Sequence, residues 1–425
     1  MTEKLIHTIE NEGKGQREFT ISLKLFISFL ILILNIETIS YVLLRNDIVI
    51  TLFQKALSSL VLIFSFLMFF TWRKADRFCF LLFIVLLGKM VMESLIGYGS
   101  VLIYPSVLAV IFPFLYVYFI KNLYRRLNMD ILNILIASIF IGYFSFMVLF
   151  GREFDFSNSP LMNEESGPYS GDTRILHANS ILLIVLPFLY YLNQLLSERK
   201  TYFAIGGFSI SLIIILIHQH RTVWLVAIFS TLILFLLKGT DKKMLRKLLY
   251  FLLIIAVVFT LMIFAIPGLN ELLIERFVDV LDPLNEDNTG GFRYLQILAY
   301  INYFIQKPLF GWSFSGFELS NPFLTDAWEE DSGHHFHNAY IEVLFYFGIT
   351  GFLFKFYPLY TVAKKISKKL SDRSKVLAAF SISGFLYAFS YVPPLIFWGI
   401  VGLCLYNIER DINYNNYHQV KHNNE

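Results

Sequence analysis

Three histidines, His334, His335 and His337, fall within four positions of DSGHHFHNAYIEVLFYFGITGF (residues 331–352), against the start of an apolar run. Imidazole is the side chain whose ordinary pKa lies nearest neutrality, which suits it to work as a base, a metal ligand or a positioner. Three arginines also stand out by position. Arg174 precedes LHANSILLIV, Arg221 closes HQHR, and Arg293 follows the paired glycines of NTGGFRYLQ. A guanidinium is a planar fork of five donors that binds phosphate or carboxylate in two-point fashion. Arginines and a histidine at one membrane edge would suit group transfer at a lipid-linked phosphate, provided that they share a side.

The elements that must position them are membrane helices. The chain is 56% hydrophobic and only 16% charged over 425 residues, and it returns repeatedly to apolar runs of about 18 residues or more. We read an all-α, polytopic membrane protein with about twelve transmembrane helices and a large external helical loop. The spans are 21–44, 48–71, 78–98, 101–120, 130–150, 176–195, 201–218, 221–238, 248–266, 338–358, 376–391 and 393–408. The last two are short, joined by Pro393 and Pro394, and fit a tight hairpin or a partly re-entrant pair. The polar start, residues 1–20, carries no small-residue cleavage site, so the first apolar segment is expected to be retained. Cys79 and Cys404 lie inside apolar runs and support neither a disulfide framework nor a cysteine metal site.

Lysine and arginine set the orientation. With the N-terminus inside, cytoplasmic segments hold 24 of the 35 and external segments 7, leaving Lys24, Lys55, Lys89 and Lys355 within spans. This bias predicts both termini, residues 1–20 and 409–425, in the cytoplasm. It places the histidine cluster outside, along with loop 151–175 and a large loop over 267–337. Within the latter, GLNELLIERFVDVL and RYLQILAYINYFI have apolar residues at helical spacing and predict an ordered helical cap on the membrane. The domain reading is thus spans 1–9 over 21–266, the cap, and spans 10–12 over 338–408.

Six of the seven external charges are arginine, whereas the cytoplasmic loops are lysine-rich. Charge alone satisfies a retention rule, but a fork suits a diphosphate at headgroup depth. The plainer reading pairs each arginine with a nearby carboxylate, Arg174 with Asp172 for instance, in a weak surface ion pair.

The order RILHAN, HRTVWLVA, GGFRYLQ, KPLFGWSFSGF and HNAYIEVLFYFGITG resembles the O-antigen ligase and O-antigen polymerase superfamily, from about residue 170 to residue 352. The resemblance implies a metal-independent glycosyltransferase that works, without cofactor, on undecaprenyl-diphosphate-linked glycans at the outer face of the bacterial cytoplasmic membrane. Membrane lipids, a flippase and a chain-length regulator are the partners it implies, with no nucleic acid. It assigns catalytic roles to Arg221, Arg293 and His337, and substrate contacts to Arg174, Asn179, Asn338 and Tyr340. Two positions depart from the family pattern. Its Gly-x-Gly reads Gly311-Trp312-Ser313, which bears on the turn geometry, and its acidic residue two positions before Gly348 is Tyr346, which leaves Glu342 as the nearby carboxylate.

Other readings stand beside this one. His334, His335 and His337 with Glu329, Glu330 and Asp331, or with His218 and His220, contain the donor types of a zinc or copper site, although their spacing matches no strong metal motif. His337 alone could cap the next span. A transporter would also fit twelve spans, but it is expected to keep charges at midplane and to repeat one half in the other. The midplane charges read here are Lys55, Lys89 and Glu93, and the last two, four apart, are placed to pair with each other.

Overall fold

The computed structural model describes residues 22–99, 105–150, 176–197, 201–218, 220–239, 289–319, 336–367 and 369–424, with single helical positions between 246 and 264. Arg174, His334, His335, most of the predicted span 248–266 and much of the two external loops lie outside the described residues. The described chain is helical throughout. Its elements are α1 (Ser22–Asn35), α2 (Glu37–Leu44), α3 (Asp47–Met68), α4 (Lys74–Tyr98), α5 (Pro105–Leu127), α6 (Leu132–Phe150) and α7 (Ala178–Leu196). These are followed by α8 (Tyr202–Ile217), α9 (Arg221–Lys238), α10 (Thr289–Gln306), α11 (Ala339–Lys365), α12 (Asp372–Tyr387) and α13 (Leu395–Asn424). Six are long and apolar enough to cross a membrane, and the bent pair α1–α2 would make a seventh. Long side chains such as Leu67, Phe70 and Ile96 stay exposed, as lipid-facing residues do.

At the core α5 runs beside α13, where Gly402 lets the α5 backbone approach so closely that a Cβ would meet the Val117 carbonyl oxygen at 2.5 Å. One end of the bundle gathers the charges of the lysine-rich loops. Lys121 reaches Asp76 and Glu409, each at 2.8 Å, Arg73 joins Glu409 at 3.0 Å, and Lys238 meets Asp372 at 2.9 Å. Lys24 donates to the Leu127 carbonyl at 2.8 Å, and Arg373 pairs with Asp130. Segments grouped by charge in the sequence therefore meet at one end in space.

Two predicted spans are broken. The apolar run 21–44 bends by 101° between α1 and α2. Ile36 is extended there, with φ −71° and ψ 114°, and the bend is held by side chains that replace the missing helical bonds. Tyr116 Oη and Asn35 Nδ2 both donate to the Ile31 carbonyl, at 2.5 and 2.7 Å, and Ser40 Oγ donates to the Leu34 carbonyl. Apolar length alone does not report such a break, although Asn35 and Glu37 flank Ile36 inside the run.

The second break is at Gly348, within α11, where φ is 60° and ψ is −160°. It divides α11 into arms 339–347 and 349–365 that fold back on each other. Tyr340 and Phe356 lie with ring centroids 4.7 Å apart, although a straight helix would separate them by about 24 Å along its axis. Backbone groups freed at the apex must be satisfied inside the protein, because lipid offers no partner. The turn 307–312 does this: Trp312 N–H donates to the Phe345 carbonyl at 2.9 Å, Ile349 N–H to Pro308 at 2.8 Å, and Thr350 N–H to Leu309 at 3.0 Å. Gly311 and Gly348 make the approach possible. A Cβ on Gly311 would stand 2.5 Å from Phe347 N, and one on Gly348 would stand 2.5 Å from the Pro308 oxygen.

Candidate functional site

At the end of the bundle opposite the ion pairs, four helices begin. α7 is capped by His177, whose Nδ1 accepts from Asn179 N–H at 3.2 Å, and α9 follows His220. α11 is capped by Asn338, whose Oδ1 accepts from Tyr340 and Ile341 N–H at 2.9 and 3.3 Å. α10 begins at Thr289. These starts are tied to one another. His220 Nε2–H donates to the Leu176 carbonyl at 2.9 Å, just ahead of α7, and His337 N–H donates to Gln296 Oε1 on α10 at 3.2 Å. Ala339 N–H donates to Ala388 at 2.9 Å, which joins α11 to the far end of α12. Helix N-termini carry partial positive charge and unsatisfied N–H groups, so each of these four starts locally favours an anion, while α8 and α12 end at the same side.

Arg221 is the first residue of α9 and is half-buried. A cation there opposes the helix dipole, a placement that costs stability unless an anion shares it. Arg293 lies in the second turn of α10, its Cζ 5.3 Å from the centroid of Tyr391. The Tyr391 ring stacks on Tyr387 at 5.3 Å and meets the edge of His177 at 5.7 Å. Tyr387 Oη in turn donates to Asn179 Oδ1 at 2.7 Å. Arg293, His177, Asn179, Tyr387 and Tyr391 thus form one contact group built from α7, α10 and α12.

Of the residues singled out in the sequence, Arg293 and Asn179 meet in this group. Arg221 adjoins it through His220 and Leu176, and His337 through Gln296, one turn along α10 from Arg293. His337 is half-buried and stands immediately before the cap residue of α11. Asn338 and Tyr340 have partners within the protein: Asn338 is buried as the cap, and Tyr340 Oη donates to the Phe385 carbonyl at 2.6 Å. His218 and His220, considered above as metal donors, are buried, with His218 Nε2 3.0 Å from Tyr143 Oη. Among the described residues no three His, Cys, Asp or Glu side chains group as metal ligands.

The two departures from the family pattern have structural counterparts. Ser313, where the pattern has glycine, takes a left-handed φ of 47° and accepts from Lys89 Nζ at 2.6 Å. That ammonium also pairs with Glu93 at 2.7 Å, as their spacing foretold. Glu342 pairs with Lys355 at 3.0 Å across the folded arms, an ion pair whose side chains are 13% and 1% exposed. It is therefore neutralised within α11.

Glu37, His177, Tyr387, Tyr391 and Gln296 were not singled out in the sequence. Glu37, at the α1–α2 bend, accepts a hydrogen bond from Ser180 Oγ on the first turn of α7. Its signal was a carboxylate alone in the apolar run LILILNIETISYVLL. His177 sits in RILHAN beside Asn179. Burial holds the His177 imidazole below its ordinary pKa, with the Glu37 charge acting in the opposite sense. Since Nδ1 accepts the cap bond, the neutral ring carries its proton on Nε2. An apolar recess lined by Ile297, Tyr300, Phe304, Ile341, Leu344 and Phe345 runs along α10 away from Arg293.

Residues 206–356, roughly a third of the chain, match the family model described as O-antigen ligase. No curated protein sequence matches the chain. The matched stretch includes α9 with Arg221, α10 with Arg293, the turn at Gly311, His337 and the Gly348 apex. Residues 206–356 of this membrane protein are thus an O-antigen ligase family domain, and the resemblance carried by the motifs to the O-antigen ligase and polymerase superfamily holds over them.

Proposed function

We propose that the protein is a glycan polymerase at the outer face of a bacterial cytoplasmic membrane. It transfers an undecaprenyl-diphosphate-linked oligosaccharide onto a second lipid-linked repeat, in O-antigen, capsule or exopolysaccharide synthesis. The observation that carries this reading is the gathering of Arg221, Arg293 and His337 at four helix starts, opposite the lysine-rich end. The topology that goes with it has twelve spans, with 1–20 and 409–425 cytoplasmic and 151–175 and 267–337 external.

In the proposed reaction Arg221 and Arg293 hold the donor's diphosphate, aided by the helix starts, and Arg174, four residues before α7 in the sequence, adds to them. The recess along α10 suits the first isoprenoid units. His337 takes the proton from the acceptor hydroxyl as its oxygen forms a bond to the anomeric carbon. The bond from that carbon to the diphosphate oxygen breaks, and its electron pair leaves on the diphosphate, where guanidinium charge stabilises it. No metal is needed at the leaving group in this scheme. Asn179, Asn338 and Tyr340 contact the substrate in this scheme, and Gln296 holds the backbone N–H of His337. A flippase that delivers the lipid-linked repeat and a chain-length regulator are the partners this reaction calls for.

A ligase would pass the finished glycan to lipid A core or another acceptor. It is favoured by the description of the matched family model and shares all of the donor chemistry. Inverted membrane vesicles or proteoliposomes supplied with lipid-linked repeat alone distinguish the two: a polymerase makes a ladder from it, and a ligase makes product only when its separate acceptor is added. Arg221→Lys and Arg293→Lys should each lose about 30- to 1000-fold in rate, on the order of 2 to 4 kcal/mol, because a point charge does not reproduce the fork. Near-native rates in both would make the arginines structural.

A further inference from the structure

Four lysines fall within predicted spans, and three of them are matched inside the chain. Lys24 donates to the Leu127 carbonyl, Lys89 pairs with Glu93, and Lys355 pairs with Glu342. The fourth, Lys55, is exposed on α3 and meets no hydrogen-bond acceptor, carboxylate or aromatic ring among the described residues. The site at the four helix starts makes no use of it.

α3 lies at the edge of the bundle: its span is 17% buried, against 33–72% for the other five. Leu57, Val61, Ser65 and Met68 form its buried face. Phe53 and Leu57, two residues to either side of Lys55, lie about 160° from it around a helix of 3.6 residues per turn, so the ammonium is directed away from the bundle. Thr51 and Ser59, one turn before and after Lys55, and Gln54 beside it are exposed too. A polar stripe therefore occupies the outward face of an apolar span. Counted from Asp47, Lys55 stands about 12 Å along the helix axis and Ser59 about 18 Å, which carries the stripe to the middle of the span.

An ionised side chain at this depth is costly, and such groups ordinarily turn inward to a partner or line a polar path. Leaning back toward the headgroups would relieve the lysine, with its long stem, but not the shorter Gln54, whose amide also has no partner among the described residues. A second copy of this chain is a poor match, because a two-fold axis along the membrane normal would set Lys55 against Lys55. The complement of the stripe is a helix with a carboxylate at the depth of Lys55 and an amide or hydroxyl group near Gln54. Ser58 and Ser59, whose hydroxyls donate to the carbonyls of Gln54 and Lys55 at 2.8 and 3.1 Å, are small enough to let such a helix come close.

We infer that the outward face of α3 is a docking surface for a membrane-spanning helix of another protein, held by an ion pair between Lys55 and an intramembrane Asp or Glu. The inference stands apart from the transfer reading, since α3 carries none of the residues assigned to that reaction.

The test uses full-length protein carrying a photoreactive benzophenone in place of the exposed Leu60, reconstituted in phosphatidylcholine vesicles with a biotinylated leucine–alanine transmembrane peptide. One peptide has a single glutamate at the depth of Lys55, and its twins have glutamine or lysine there. Labelling by the glutamate peptide should reach half its maximum at about a five- to thirtyfold lower mole fraction than labelling by the glutamine peptide. Lys55→Met should melt like the parent protein and lose this preference, and Lys55→Glu should transfer it to the lysine peptide. Equal labelling by the glutamate and glutamine peptides would overturn the inference, as would a preference that survives Lys55→Met. Crosslinking of the chain to a second copy in place of the peptide would overturn it in favour of self-association. A preference that disappears when phosphatidylglycerol replaces part of the phosphatidylcholine would assign Lys55 to headgroup phosphate instead.

Discussion

Gly348→Ala tests the broken span, and its magnitude follows from the structure. At φ 60° and ψ −160° the residue occupies a region that is nearly closed to any side chain, costing about 1–3 kcal/mol by itself. The new Cβ would lie 2.5 Å from the Pro308 oxygen and 2.6 Å from the Leu309 carbonyl carbon. Both are backbone atoms without rotamers to yield, so the turn 307–312 must back away, and overpacking of this kind costs about 1–3 kcal/mol. Withdrawal also strains the hydrogen bonds from Ile349 and Thr350, worth about 1 kcal/mol each. Since these terms overlap, the total is on the order of 3–6 kcal/mol. Gly97→Ala is the control, because it lies in α4 with nothing within 4 Å of the new Cβ and should be neutral or slightly stabilising. Thermal melts of detergent-solubilised protein followed by size-exclusion chromatography should place Gly348→Ala many degrees below Gly97→Ala. Gly311→Ala should match it, and the double variant should cost less than the sum, because both substitutions break one dock. Equal melting of Gly348→Ala and Gly97→Ala would mean that α11 is not folded at this point.

Other expectations follow from charges and caps. Lys355→Met leaves Glu342 largely buried without its partner and should cost about 3–5 kcal/mol, with Glu342→Gln in the same chain recovering much of it, as read by melting temperature. His177 has a depressed folded pKa, so the unfolded chain takes up the proton first. Stability should be unaffected by this group above about pH 6.5 and fall as pH drops from there through the lower folded value. His177→Asn keeps a capping acceptor and should flatten that acid-side decline in melts taken between about pH 7 and pH 5; an unchanged slope would assign it to other groups. Cysteine placed at Asp331 in a cysteine-free background should react with impermeant maleimide from outside spheroplasts while cysteine at Lys243 does not, and the reverse pattern would invert the proposed topology.

Much of the helical layout was legible because apolar length and charged punctuation are local properties. Predicted spans 48–71, 78–98, 130–150, 176–195 and 221–238 coincide with candidate spans to within a few residues. The two bends were not legible, and for one reason. The partners that satisfy the backbone at Ile31 and at Gly348 include Tyr116 and residues 308–309, far away in sequence, and each break lies inside a run that is apolar on average. Arg221 and Arg293 were singled out from type and position, and the structure puts both near helix starts. Asn338 and Tyr340 were read as substrate contacts; the structure adds that the one also caps α11 and the other also bonds the Phe385 carbonyl, roles that motif resemblance does not carry. Glu37 and Tyr391 come to the contact group only through folding: one arrives by the α1–α2 bend, the other in the turn after α12. Ser313 shows that a glycine position can tolerate substitution when a neighbour, here Lys89, holds the new side chain.

The central claim, glycan transfer from a lipid diphosphate with His337 as base, meets its most direct test in a single set of variants assayed for polymer and for released undecaprenyl diphosphate. His337→Ala should be inserted and stable yet form no ladder and release no diphosphate, while His334→Ala and His335→Ala remain close to wild type and chelator changes none of them. A full ladder from His337→Ala would contradict the account, and equal loss in all three together with chelator sensitivity would replace it with a metal site.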